Sequence, residues 1–391
     1  GAHRDLHSFP TRRSSDLGAR VIRALFGEQN AHLAQYWNNR GIIHFEKGYF
    51  DRALDDFTRG LDLKRQTMPA SDPSIANSFH NVGNVHYMRG DYDQALDFYR
   101  QALALRRQAY KENHPVIAGS YQKIGSAYQL RGDLDLALQY FDQSLAISLK
   151  AYGENHVEVT RCYEMMSSLY LRKGEPAAAL VFAQKALTID SKVLGEQHPL
   201  VATRHNKVAD MFSATGQHDS ALAHYNKGID LLVARHGERY YMIGHAHQDL
   251  GDLHVARQEW SQALLAYDRA DSLLSAAMGA AYPALTVIDR RRAMIYMEQK
   301  EWRKAFAQIQ AALGRLSGTF HPQHYHDNPA PASLPASRAV VDVLAQKGRA
   351  LEEYYRQVTR NKGDLRACLQ TCTLAADLLD HLLDRYEGTE S

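Results

Sequence analysis

Seven alanines recur every 42 residues along this 391-residue chain, and this period limits most strongly how the chain can fold. They are Ala53, Ala95, Ala137, Ala179, Ala221, Ala263 and Ala305. A second small-residue position keeps the same period, at Gly41, Gly83, Gly125, Ser167, Ala209, Gly251 and Ala293. Such a period indicates a stacked array whose repeats bury one face on the next. The sequence therefore favours an extended binding surface over a catalytic pocket.

Each repeat is predicted to be a pair of antiparallel helices. In the third repeat, Tyr121, Gly125 and Tyr128 fall on one helical stripe. Gly132 then ends the first helix, and Asp133 is expected to be the N-cap residue of the second. The second helix has its own apolar stripe: Leu134, Ala137, Leu138, Phe141, Leu145 and Leu149. The small residues mark the close approach of the two helices.

This repeat resembles the tetratricopeptide repeat (TPR). Repeat two carries the family pattern at Phe79, Val82, Gly83, His86, Ala95, Tyr99 and Ala102. The usual repeat has about 34 residues, and eight more add about two helical turns, as in repeats of the kinesin-light-chain type. The resemblance implies an all-α, right-handed superhelical solenoid of antiparallel helix pairs that binds proteins.

The repeat pattern also divides the chain. Residues 1–17 read like a translated sequencing-library adapter, so we expect an artefact; a basic targeting arm is the alternative. Residues 18–33 are expected to be the remnant of a preceding repeat, with the true start missing. Residues 34–316 hold seven repeats, 317–336 a loop containing Pro and His, 337–386 an atypical helical pair, and 387–391 a tail. In that pair, Gly363 and Asp364 are expected to form the turn, after a first helix about two turns longer than in the repeats.

The closing helical pair carries a second resemblance. The closing segment, from residues 347–351 through residues 375–380, is similar to the region that follows the repeats in bacterial proteins with a caspase-like CHAT peptidase domain. In that family the peptidase comes next along the chain. The resemblance implies that this chain is the regulatory arm of a covalently linked downstream peptidase, as the alternative to a scaffold that acts alone.

Charge and cysteine content restrict the partners. The 46 Lys and Arg residues balance 44 Asp and Glu residues, which argues against binding to nucleic acid or to an anionic membrane. No run of residues is apolar enough to span a bilayer. The odd number of cysteines, three, suggests a reducing compartment. We expect a cytoplasmic protein, although the missing start leaves a signal peptide open.

The main functional candidate is the polar face of the first helices, predicted to line a concave groove that holds an extended peptide or a partner helix. Asparagine suits a peptide backbone because its amide both donates and accepts hydrogen bonds. The predicted groove residues are Asn38, Asn39, Asn77, His80, Asn81, Asn84, Gln122, Lys123, Arg161, Asn206, Lys207, Gln248, Arg290 and Arg291. The alternative is an ordinary solvated face.

Other candidate sites are weaker. Some TPR domains bind a C-terminal carboxylate with a clamp of Lys, Asn and Arg side chains. Asn84 and Arg161 fit that clamp, but His80, Lys123 and Met165 depart from the family pattern. His321, His324, His326 and Asp327 have ligand chemistry without a structural-zinc spacing. Cys162, Cys368 and Cys372 fit buried apolar positions. No catalytic constellation stands out, so we expect no enzyme activity, no cofactor and no metal.

Overall fold

The computed structural model describes residues 12–335 and 337–387, with side chains from 17–335 and 337–382. Residues 1–11 of the expected artefact, and residues 388–391 of the expected tail, lie outside this part. Within it every regular element is helical, which confirms the all-α prediction. The chain divides into an N-terminal unit, residues 1–195, and a C-terminal unit, residues 196–391.

The N-terminal unit holds one leading helix, α1 (Arg12–Phe26), and four repeats. Their helices are α2 (Ala31–Glu46), α3 (Phe50–Thr67), α4 (Pro73–Arg89), α5 (Tyr92–Ala109), α6 (Pro115–Arg131), α7 (Leu134–Tyr152), α8 (Val157–Arg172) and α9 (Pro176–Leu194). Each repeat pairs an even-numbered helix, its first, with the following odd-numbered helix, its second. The second helix of one repeat then packs on the first helix of the next.

The C-terminal unit holds repeats five to seven and a closing pair. The repeat helices are α10 (Pro199–Ala214), α11 (His218–His236), α12 (Tyr241–Ala256), α13 (Trp260–Met278), α14 (Pro283–Glu298) and α15 (Trp302–Ser317). A segment with a single 3₁₀ turn, Pro331–Ser333, leads to α16 (Arg338–Tyr354). A π turn, Tyr355–Thr359, and α17 (Lys362–Glu387) follow.

The small residues lie where the helices of a repeat meet, as the sequence predicts. All seven periodic alanines are fully buried. A Cβ built on Gly125 would lie 2.6 Å from the Phe141 ring. Gly83 faces Tyr99 in the same way, and Gly251 faces Tyr267. In each case the aromatic ring sixteen residues after the glycine packs directly against the glycine backbone. This contact sets the close spacing of the two helices of the repeat.

The turn inside each repeat needs one residue with positive φ, and this position also recurs every 42 residues. It is occupied by Gly48, Gly90, Gly132, Gly174, Gly216, Gln258 and Lys300. Glycine adopts this conformation at little steric cost, whereas other L-residues are strained in it. Gln258 and Lys300, with φ of 59° and 58°, therefore carry strain that the other five turns avoid.

Replacing Lys300 by glycine should relieve that strain. We expect Lys300→Gly to raise the free energy of unfolding by about 1 kcal/mol, because the left-handed conformation costs an L-residue roughly 1–2 kcal/mol and glycine adds some chain entropy when unfolded. Urea denaturation measures the change. Gly216→Ala, at the same turn position with φ 76°, should lower stability. A Lys300→Gly variant no more stable than the parent contradicts the strain.

The first helices begin with a repeated side-chain cap. Asp72, His114, His156 and His198 occupy equivalent positions, and each accepts a hydrogen bond from the backbone N–H two residues later. The imidazole Nδ1 of each histidine thus caps the start of its helix in the same way as the Asp72 carboxylate. The second helices differ. Asp133 is the N-cap residue of α7, as predicted, but it makes no side-chain cap hydrogen bond and accepts a hydrogen bond from Arg131 instead.

The closing pair turns earlier than the sequence suggested. The left-handed residue is Arg360 (φ 49°), and Gly363 already lies within α17. Arg360 follows Gly348 by 12 residues, whereas Gly132 follows Gly125 by 7. The five extra residues equal the length of the π turn Tyr355–Thr359. The first helix is therefore longer by one π turn rather than by two α-helical turns.

Candidate interaction surface

The predicted groove residues lie on the first helices, and we call their shared surface the first-helix face. In the N-terminal unit several of these side chains contact one another or the repeat beneath. Asn81 Nδ2 donates to Asn38 Oδ1 at 2.9 Å, and Asn39 accepts from Gln35 at 2.7 Å. Asn84 Oδ1 accepts from the Tyr99 hydroxyl at 2.8 Å. The asparagines therefore already have partners within the protein, and any peptide would use their remaining hydrogen-bonding groups.

A buried arginine that sequence reasoning missed lies under this face. Arg106, on α5, is 8% exposed and donates to Ser120 Oγ at 2.7 Å and to Asn77 Oδ1 at 3.0 Å. Its Nε is buried without a hydrogen-bond partner in the described residues. No carboxylate lies within ion-pair distance of Arg106 in that part of the chain. A guanidinium buried without an anion is costly unless a ligand supplies one.

His80 lies within electrostatic reach of both Arg106 and Lys123. The pKa of His80 is lowered to about 3, mainly by burial and to a smaller extent by the charges of Arg106 and Lys123. The pKa of Lys123 is also lowered, mainly by burial and to a smaller extent by the charge of Arg161. Among the described side chains no acidic group offsets the cations in either case. We call Arg106, Lys123 and the neutral His80 the cationic cluster; it offers two charges to an anion.

Equivalent buried polar pairs join successive repeats. Lys64 Nζ donates to Ser78 Oγ at 2.9 Å, as Arg106 does to Ser120. At the next junction the pair is a thiol and a hydroxyl, with Cys162 Sγ and Ser148 Oγ 3.6 Å apart. The signal for these pairs was present in the sequence, since each member lies 42 residues from its equivalent. Helical periodicity alone does not distinguish a buried cation from an exposed one.

The two residues that suited a carboxylate clamp have other partners. Asn84 accepts from Tyr99, and the exposed Arg161 pairs with Glu158 one turn earlier on the same helix. The described geometry thus directs an anion to Arg106 and Lys123 more than to Asn84 and Arg161.

The first-helix face of the C-terminal unit is acidic. Asp210 accepts from Tyr225 at 2.6 Å and from Lys207 at 3.1 Å. Burial, then the neighbouring Asp210, raises the pKa of Asp249 to about 7. Asn206 and Gln248, equivalent residues of repeats five and six, each have a buried side-chain oxygen without a hydrogen-bond donor in the described residues.

The two predicted groove arginines of this unit pair with its own carboxylates. Arg290 lies 3.3 Å from Asp342 and also contacts Gln346. Arg291 lies 3.1 Å from Asp252, which accepts from the Tyr267 hydroxyl as well. Both arginines therefore have a carboxylate partner, whereas Arg106 has none among the described residues.

Comparison with known proteins identifies the repeats. A tetratricopeptide-repeat family model matches residues 74–150, 116–192 and 179–234, and a second one matches residues 34–67. The chain is a tetratricopeptide-repeat protein. The TPR prediction made from the 42-residue period is thereby confirmed. A search of the curated proteins found none that matches the sequence.

Solved structures similar to this TPR protein share its fold at low sequence identity. BtubC (BKLC) from P. vanneervenii is 19% identical and covers 61% of this chain and 96% of its own, with a TM-score of 0.51. Rap protein complexed with Competence and Sporulation Factor is 14% identical and covers 78% and 81%, with a TM-score of 0.52. A Podosopora anserina putative kinesin light chain with nearly identical TPR-like repeats is 18% identical and covers 54% and 99%, with a TM-score of 0.48. The likeness concerns the fold.

The histidine-containing loop of the TPR protein is held by hydrogen bonds. His326 Nε2 lies 2.7 Å from Asp364 Oδ1, and the Asp327 carboxylate accepts the backbone N–H groups of Gln323 and His324. Among the side chains of residues 17–335 and 337–382, no three metal-ligand groups come together. The His326 and Asp327 side chains are thus engaged in hydrogen bonds, and the His324 ring stacks on the His326 ring with centroids 5.5 Å apart.

The three cysteines are free thiols. Cys162 is buried beside Ser144 and Ser148, as its apolar position predicts. Cys368 is half-buried, and Cys372, contrary to the expectation of a buried residue, is exposed. In the part of the TPR protein that the structure describes, no helix has both the length and the apolar character to cross a membrane.

Proposed function

We propose that this TPR protein is a protein-interaction scaffold, and that the first-helix face of its N-terminal unit binds an extended segment of a partner that carries a carboxylate. The observation that carries the proposal is the burial of Arg106 with hydrogen bonds only to the neutral side chains of Ser120 and Asn77. Among the described residues neither Arg106 nor Lys123 forms an ion pair with a carboxylate. An acidic side chain placed there would offset two charges in a poorly solvated site.

The surrounding amides support a peptide. Asn81, which follows His80 on α4, forms an amide pair with Asn38, and each retains unused donors or acceptors after their mutual hydrogen bond. A peptide backbone bonded to these amides would bring its side chains past Lys123. Among the similar structures, the Rap protein is complexed with Competence and Sporulation Factor, so this fold can hold a partner.

The test is a selection of random peptides on the immobilised protein. We expect enriched peptides to contain Asp or Glu, and Lys123→Glu to weaken their binding at least about tenfold, which corresponds to roughly 1.4 kcal/mol. Asn81→Ala together with Lys123→Ala should weaken binding at unchanged stability. Isothermal titration with one enriched peptide measures both changes.

Two controls separate the site from general charge. Lys150→Glu makes the same charge change at an exposed position of a second helix and should leave binding within about twofold, because exposed charges are screened. An enriched peptide with each acid replaced by its amide should bind as weakly as Lys123→Glu does to the parent peptide. Enriched peptides without acids, or full binding to Lys123→Glu, would refute the carboxylate site.

We propose a cytoplasmic location, in keeping with the three free thiols. The regulatory arm of a downstream caspase-like peptidase stays a prediction from the sequence resemblance. The carboxylate site is compatible with either, since a partner segment can come from another protein or from a linked domain.

A further inference from the structure

A pocket of about 680 Å³ lies in the C-terminal unit, between α15 and the loop that follows it. It uses none of the predicted groove residues. Five aromatic rings line it: Trp302 and Phe306 from α15, Phe320 and Tyr325 from the loop, and Tyr354 from α16. This volume and an apolar, ring-rich lining are typical of sites for small molecules.

The rings form a fixed wall. The Phe306 and Tyr325 rings stack with centroids 4.7 Å apart, and Tyr354 meets Phe306 edge-on at 5.5 Å. Trp302 and Phe306 are 7% and 4% exposed, so packing from below restricts their motion. A ligand would therefore enter a pre-formed site and lose little free energy to ordering it.

Gln310 holds the loop side of the pocket in place. Its Nε2 donates to the backbone carbonyls of His324, Tyr325 and Asp327, each at 3.1 Å. Because carbonyls only accept, this orientation of the amide is the favourable one. Oε1 is left buried without a donor in the described residues, and Gln310 is 8% exposed.

The charge of the pocket is positive. Arg303 lines it, is exposed, and makes no ion pair with any described residue. The adjacent Lys304 pairs with Glu301. None of the lining residues carries a carboxylate. Arg303 therefore favours an anionic group at the pocket, and a carboxylate fits its planar guanidinium.

We propose that this pocket binds a small planar fused-ring aromatic carboxylate. Its rings pack on the aromatic wall beside Tyr325 and Tyr354, and its carboxylate pairs with Arg303. Fused aromatic rings match the aromatic lining better than a saturated ring of equal size, because aromatic pairs gain interaction free energy beyond that of the surface area they bury. The proposal is independent of the peptide site in the N-terminal unit.

Indole-3-acetate is a suitable probe, since it has a fused ring, a carboxylate and an N–H donor. We expect one molecule to bind per chain, with a dissociation constant of about 1 mM or below, as is usual for a well-placed ligand of this size. Indole lacks the carboxylate and cyclohexaneacetate lacks the aromatic ring. Each should bind at least about tenfold more weakly by ligand-observed NMR.

Two variants locate the binding. Gly314 lines the pocket on α15 without a positive φ, and an added Cβ would meet only the Phe320 carbonyl oxygen at 3.4 Å. Gly314→Leu should therefore fill the pocket and abolish binding. Arg303→Gln, at an exposed position, should leave the melting temperature unchanged and reduce indole-3-acetate to the affinity of indole.

Three outcomes would overturn the proposal. They are no binding of indole-3-acetate to the wild-type protein, undiminished binding to Gly314→Leu, and equal affinities for the acid and the neutral indole. Lys123→Glu should not change the affinity for indole-3-acetate. A Lys123→Glu variant that loses peptide binding but still binds indole-3-acetate would therefore distinguish the two proposals.

Discussion

Replacing Gly125 by leucine should destabilise the protein by about 3 kcal/mol, at the upper end of the usual cost of overpacking. The reason is steric. Even a Cβ at this position would lie 2.6 Å from the Phe141 ring and 3.3 Å from the Ala137 carbonyl oxygen. Phe141 is 1% exposed, so it has no free space to move into. The helices α6 and α7 would have to separate. Urea denaturation measures the loss.

A second glycine of the same helix is the matched control. Gly119 has no atom within 4 Å of an added Cβ, so Gly119→Leu should be neutral or stabilising by up to about 1 kcal/mol through helix propensity. Adding Phe141→Ala to Gly125→Leu should recover part of the loss. Equal effects of the Gly125 and Gly119 substitutions would show that the close approach of α6 and α7 is not what limits residue size.

Removing the Asp364 carboxylate should also cost about 3 kcal/mol, because three donors would lose a buried acceptor. Asp364 is fully buried and accepts from Tyr325 at 2.8 Å, from His326 at 2.7 Å and from Thr359. Two of these donors belong to the loop. Asp364→Ala should therefore speed amide hydrogen exchange of residues 323–327 as well as lower the unfolding free energy.

Asp342 supplies the control for deleting a carboxylate in the same unit. Its side chain is 40% exposed and pairs with Arg290, so Asp342→Ala should cost less than about 1 kcal/mol. Comparable losses for the Asp364 and Asp342 variants would mean that the buried carboxylate does not hold the loop.

The Asp364 contribution should depend on pH in a definite direction. Burial alone would raise its pKa, but hydrogen bonds from Thr359, His326 and Tyr325 outweigh burial and lower it. A lowered folded-state pKa gives stability that is present above about pH 4, the unfolded value, and is lost as the pH falls through the folded value. The stability advantage over Asp364→Asn should shrink in acid. An advantage constant down to about pH 2 would contradict this linkage.

The sequence predicts the repeat architecture well because the constraint is geometric. Gly125 and Ala137 must be small wherever two helices approach closely, and a fixed period repeats that requirement in every repeat. The alternation of first and second helices follows from it. The turn position was equally regular, but Gln258 and Lys300 occupy it in place of glycine, and tertiary packing overrides their conformational preference.

The candidate sites were harder to predict, since they depend on which side chains share a space. Arg106 occupies the same position as Lys64, yet its burial beside His80 and Lys123 follows only from the stacking of repeats. The aromatic pocket joins residues of α15, the loop and α16, and no periodicity relates those segments. Gly363 shows the same limit, because the π turn Tyr355–Thr359 places the left-handed residue of the closing pair at Arg360 instead.

The buried pairs between repeats have a consequence for how such a gene can change. A deletion of 42 codons would remove a whole repeat and keep the reading frame. Loss of repeat two would bring Lys64 to Ser120, a hydroxyl equivalent to Ser78. Loss of repeat three would instead leave Arg106 facing Cys162, a poor acceptor for a buried guanidinium. The order of the repeats is therefore part of what the sequence encodes, and not every deletion that preserves the period preserves the protein.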